Sequence, residues 1–130
     1  MRNRRSIAHQ LVADLQAGRV RSVAFVAPSC VRWTLPLYDL AITTARRGWQ
    51  LGIPAATYWF VTPEREPPTS HESLEAEGIM FIGSTYADVQ HGVVLLDPQD
   101  ERIEPDRIVS VSENGELVVD WRTTNGAVAA

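Results

Sequence analysis

The stretch that most constrains this chain is Val23-Ala24-Phe25-Val26-Ala27, an unbroken apolar run stopped by Pro28. It is too short for a helix and reads as a strand buried on both faces. A helix follows at once. Pro36 suits a first helical turn, where a missing N–H costs nothing, and Thr34 is available as its cap. Leu37, Leu40, Ala41, Thr44 and Ala45 keep helical spacing on one face, and Gly48 supplies a stop behind Arg46 and Arg47. A buried strand, a tight loop and a helix whose N-terminus faces that loop make the first half of a nucleotide-binding unit. Such a helix end offers backbone N–H groups and a positive dipole end to a pyrophosphate. The loop from Ser29 to Leu35 contains no glycine, so the Gly-x-Gly-x-x-Gly fingerprint is missing. Any parallel α/β domain also has a strand, loop and helix of this kind.

The rest of the chain bounds the alternatives. Its 130 residues suffice for one domain with a sizeable core. A net charge of −4 removes the basic footprint of a nucleic-acid binder. No apolar run approaches transmembrane length, and no secretory apolar core opens the chain, so the cytoplasm is the expected compartment. Arg2, Arg4 and Arg5 hint at a transit peptide, but Asp14 and the smooth join to the first strand argue against one. One cysteine excludes an internal disulfide, and without a Cys or His cluster a metal site is not expected. All 12 basic residues are arginine, which excludes Schiff-base lysine chemistry and a phosphate-loop lysine together.

In chain order, Ser6 to Ala17 reads as a helix striped by Ile7, Leu11, Val12 and Leu15 and ended by Gly18, with His9 off the stripe and solvated. Trp49 to Ile53 forms the return connection, and Ala55 to Val61 a second buried strand. Next comes Thr62-Pro63-Glu64-Arg65-Glu66-Pro67-Pro68. An acidic residue closing the second strand binds the adenosine ribose in dinucleotide folds; Glu64 is placed for this, with Glu66 second, against a solvated turn as the plainer reading. Ser70 caps a short helix over Glu72 to Ala76, His71 sits in its exposed first turn, and Gly78 ends it before a third strand, Ile79 to Ile82. From there the pattern changes to hairpins: Ala87–Gln90, Val93–Leu96, Arg107–Val111 and Glu116–Asp120 are strand-like. His91-Gly92 and Asn114-Gly115 mark turns between them. Asp97, Asp100 and Glu101 lack calcium-loop spacing and read as a solvated turn. The expected architecture is α/β, a Rossmann-like parallel sheet with crossover helices and a C-terminal antiparallel hairpin layer. It forms a single domain over 1–130 with a frayed tail at 123–130.

Several phrases line up beyond this pattern: Ser22 to Pro28, Trp33-Thr34-Leu35-Pro36-Leu37-Tyr38-Asp39-Leu40-Ala41, Val61-Thr62-Pro63-Glu64, Glu77-Gly78-Ile79, Gly83-Ser84-Thr85-Tyr86-Ala87 and Ile103 to Val109. Together they resemble the NAD(P)H-binding domain of the FAD-dependent pyridine nucleotide-disulfide oxidoreductases, nearest the branch of type II NADH dehydrogenases and sulfide:quinone reductases. The resemblance runs from about Arg21 to Val111 and rests on the combined phrases. It implies that Pro28, Ser29, Cys30, Trp33 and Leu35 belong to the pyrophosphate and nicotinamide-side loop and that Glu64 binds ribose. It sets Asp39, where the family usually has Glu, near the reduced nicotinamide. Cys30 stands where the family tends to have Gly, and Thr34 replaces a Pro. A side chain at Cys30 can obstruct close approach of backbone to phosphate.

In such reductases FAD sits on a separate glycine-rich domain that brackets this one, and neither flavin segment is present in this sequence. Hydride transfer needs an acceptor held against the nicotinamide. The expected role is therefore NAD(P)H binding, with FAD on a missing or separate domain and a flavin domain or a second copy as partner. The alternative is a non-enzymatic interaction or structural module, for which Trp33, Trp59 and Trp121 could line a partner surface. Cys30 as a nucleophile lacks a histidine placed to activate it.

Overall fold

The computed structural model describes residues 4–27, 35–53, 56–63, 76–84, 88–90, 92–96, 101–111 and 116–120. Helix α1 spans Arg4–Gln16 and buries the stripe Ile7, Leu11, Val12 and Leu15 while His9 stays exposed. Gly18, at φ 78°, ends the run, since only a residue without Cβ adopts that left-handed conformation cheaply. Strand β1 (Ser22–Val26) and helix α2 (Leu35–Gln50) follow, then β2 (Thr57–Thr62) and β3 (Ile79–Gly83). Every residue of the stripe expected on α2, Leu37, Leu40, Ala41, Thr44 and Ala45, is buried.

The main sheet has 5 strands in the order β3-β2-β1-β7-β8, where β7 is Arg107–Val111 and β8 is Leu117–Asp120. β3, β2, β1 and β7 run parallel, and β8 pairs antiparallel with β7. A smaller antiparallel sheet, β4 (Asp88–Gln90), β5 (Val93–Leu95) and β6 (Arg102–Ile103), lies between β3 and β7 in the chain. The α/β class with its antiparallel layer thus holds.

Alternation along the strands divides the core into two layers. Val23 and Phe25 of β1, Tyr58 and Phe60 of β2 and Val109 and Val111 of β7 pack with α1 and α2. Ala24, Val26, Val61 and Ile108 pack instead with Val94 of β5, Val89 of β4 and Ile103 of β6. The main sheet is therefore sandwiched between helices and a second sheet, which is why its central strands read as continuous apolar runs.

Three sequence expectations change. Gly48 does not end α2: the helix continues through Trp49 to Gln50, and Gly52, at φ 69°, provides the left-handed stop. Arg107–Val111, grouped with the hairpins, is instead the fourth parallel strand. Asp106 pins it there, its Oδ2 accepting from the Arg21 N–H at 2.8 Å while its own N–H donates to Ser22 Oγ at 2.9 Å. The short strand β6 carried no sequence signal of its own. Of the expected helix near Glu72, Ala76 is helical and Gly78 follows at φ 77°. Its cap Ser70 and His71, the turn residue His91, Trp121 and the tail 123–130 lie outside the described residues. Among the described residues no helix is long and apolar enough to cross a membrane.

Candidate functional site

The strand order reverses at β1: the chain steps outward to β2 and β3, then returns to the other flank of β1 as β7. In open α/β sheets the crevice beyond the carboxyl ends of the strands at such a reversal is where ligands bind. Here that rim is formed by Ala27 after β1, Thr62 and Pro63 at the end of β2, Ser84 after β3 and Val111 at the end of β7.

Backbone and side-chain bonds tie the rim together. Ala27 N–H donates to the Val61 carbonyl at 2.8 Å and Ser84 N–H to the Thr62 carbonyl at 2.9 Å. Ser84 Oγ donates to the Leu96 carbonyl, joining the end of β3 to the antiparallel layer. Thr62 is fully buried.

Helix α2 starts beside this rim. Leu35 is its first residue, Pro36 its second, and no acidic side chain occupies its first turn to neutralise the positive end of the dipole. Helix geometry leaves first-turn N–H groups without an intrahelical acceptor, and Pro36 has none to leave. Asp39, one turn in, is exposed. The helix is held in place by Tyr38, whose ring stacks on Phe60 of β2 with centroids 3.9 Å apart and planes at 16°. That contact sits near the N-terminal end of α2 and fixes its angle to the sheet.

The structure thus places Leu35 and Asp39 on the first turns of α2, next to the switch point. Pro28, Ser29, Cys30 and Trp33 fall in the connection from β1 to α2, and Glu64 follows β2. All five lie outside the described residues. Among the described residues the rim carries hydroxyls and one carboxylate, with no histidine or cysteine. No group of three or more His, Cys, Asp and Glu side chains is arranged to hold a metal ion among them. Such a rim can bind and orient a ligand through backbone groups and a helix end.

No family model matches the chain, nor does any curated protein or solved structure.

Proposed function

We propose that this chain is a dinucleotide-binding domain that takes up NAD(P)H and presents it to a flavin held on another domain or chain. The observation that carries the reading is the reversal of strand order at β1, with the N-terminus of α2 opening beside it. On this reading the pyrophosphate lies across the helix end, with Pro28, Ser29, Cys30, Trp33 and Leu35 around it. Glu64 takes the ribose hydroxyls and so favours NADH over NADPH. Asp39 lies toward the nicotinamide. The phrases shared with the FAD-dependent pyridine nucleotide-disulfide oxidoreductases support the same assignment. Direct parallel pairing of β7 with β1 sets the crevice ends of these two strands side by side. No hydride moves until an acceptor is supplied, so the isolated chain binds without turning over.

The test is titration of the full chain with NADH and NADPH, read by nucleotide fluorescence and by thermal unfolding. Saturable binding with a rise in melting temperature, stronger for NADH, is the expected result. No response at millimolar nucleotide defeats the reading.

A further inference from the structure

A second cleft lies at the opposite end of the sheet. Ala45 and Trp49 of α2, Ile53 and Ala56 before β2, Tyr58, and Glu77 and Gly78 before β3 enclose about 210 Å³. That is below the roughly 300 Å³ at which pockets for drug-sized ligands begin, and it suits a molecule of one or two rings.

Three side chains in it are unusual together. Trp49 is 71% exposed, presenting a large flat apolar face that folding has not covered. Tyr58 is the converse, only 6% exposed, yet its hydroxyl has no hydrogen-bond partner among the described residues. Desolvation by burial raises its pKa above 10.0, so it stays a protonated donor at any ordinary pH. Glu77 has a largely buried carboxylate, and Arg46 Nε and Nη2 both donate to the same oxygen, Oε2, at 3.1 and 2.9 Å. Its Oε1 keeps acceptor capacity, while the guanidinium already neutralises the charge.

We propose that this cleft binds a small, neutral, planar heterocycle carrying both a carbonyl acceptor and a ring N–H donor, of the lactam or nucleobase type. The ring stacks on the Trp49 indole, its carbonyl accepts from the Tyr58 hydroxyl, and its N–H donates to Glu77 Oε1. A cationic ligand would meet Arg46 already seated on the carboxylate. A purely apolar ligand would bury the Tyr58 hydroxyl with nothing to bond. The site is separate from the dinucleotide crevice and stands whether or not nucleotide binds there.

The probe is 2-pyridone, added at millimolar concentration to the full chain labelled with ¹⁵N, with the indole N–H signals observed by NMR and that of Trp49 identified by its loss in Trp49→Phe. A saturable shift of the Trp49 signal is expected. N-methyl-2-pyridone, which lacks the donor, should bind about fivefold or more weakly, and Tyr58→Phe should weaken 2-pyridone by about five- to tenfold, the worth of one hydrogen bond. Signal dispersion in the same spectra reports whether Tyr58→Phe is folded; if it is not, the N-methyl comparison on the unaltered chain decides. An unmoved Trp49 signal overturns the proposal, and so does equal affinity for the two pyridones.

Discussion

The Tyr58 hydroxyl lies over Gly48 so closely that a Cβ built on Gly48 would stand 2.9 Å from its oxygen. Glycine inside a helix costs about 1 kcal/mol relative to alanine, so its presence here calls for a reason, and the phenol is that reason. Tyr58 is buried and packed within the helix-side core, so moving its ring aside disturbs that packing. Overpacking of this kind costs about 1–3 kcal/mol. Gly48→Ala should therefore be net destabilising by about 1 kcal/mol. In a Tyr58→Phe background the clash is gone and the same change should stabilise by about 0.5–1 kcal/mol. Urea midpoints at constant slope give both numbers, and the same sign in both backgrounds would refute the contact.

The burial that raises the Tyr58 pKa also makes stability depend on pH. A group whose folded pKa exceeds its unfolded value holds its proton longer in the folded state. Its contribution is whole below the unfolded value of 10.0 and is lost as pH rises through the folded value. The unaltered chain should therefore lose stability above pH 10 more steeply than Tyr58→Phe does. Urea unfolding at a series of alkaline pH values measures the difference; parallel curves would mean that Tyr58 is solvated.

Asp14 of α1 and Arg107 of β7 meet in the helix-side core, with only 5% and 9% of their side chains exposed and Arg107 Nη2 4.0 Å from Asp14 Oδ2. Gln10 Nε2 and Arg19 Nη1 donate to the other carboxylate oxygen at 3.2 and 3.4 Å, and Arg107 Nη1 donates to the Asp106 carbonyl at 2.9 Å. Removing one partner strands a buried charge. Asp14→Leu should cost about 3 kcal/mol, whereas adding Arg107→Met to it should recover most of that loss, because an apolar pair of similar volume needs no compensation. A double-mutant cycle by urea unfolding tests this, and strictly additive losses would show that the two side chains do not interact.

What the residue pattern could and could not reveal follows from the range of each interaction. The Val23–Ala27 run, the Ile7–Leu15 stripe and the stops at Gly18 and Gly78 are local signals, and each holds in the fold. Gly48 misleads because a glycine of close approach and a glycine of helix termination look alike until Tyr58 is known to lie beside one of them. β7 misleads for a similar reason. The turn residues around Arg107–Val111 mark its ends but not its neighbour, which is set by the bonds of Asp106 to Arg21 and Ser22. The candidate site inherits that limit. A strand end next to a helix N-terminus is legible at Ala27 and Leu35, but the switch point exists only once β7 is known to return beside β1. The cleft under Trp49 was illegible outright, since its lining comes from three separate segments joined only by folding.

Val94, central in β5, is the residue on which docking of the antiparallel sheet turns. It pairs with Val89 and Ile103 within its own sheet and is fully buried against the cluster of Ala24, Val26, Val61 and Ile108. Val94→Ala removes two carbons from that contact and should cost about 1.5–2.5 kcal/mol. Val94→Thr keeps the shape but buries a hydroxyl, so it should cost about 1–3 kcal/mol. A solvent-facing residue would tolerate both changes within about 0.5 kcal/mol. The threonine variant is the sharper arm, because on an exposed strand Thr is as good a residue as Val. If the small sheet instead rides loosely on the main one, Val94→Thr leaves the urea midpoint unchanged. The Ser84–Leu96 bond at the crevice rim then has no rigid platform behind it.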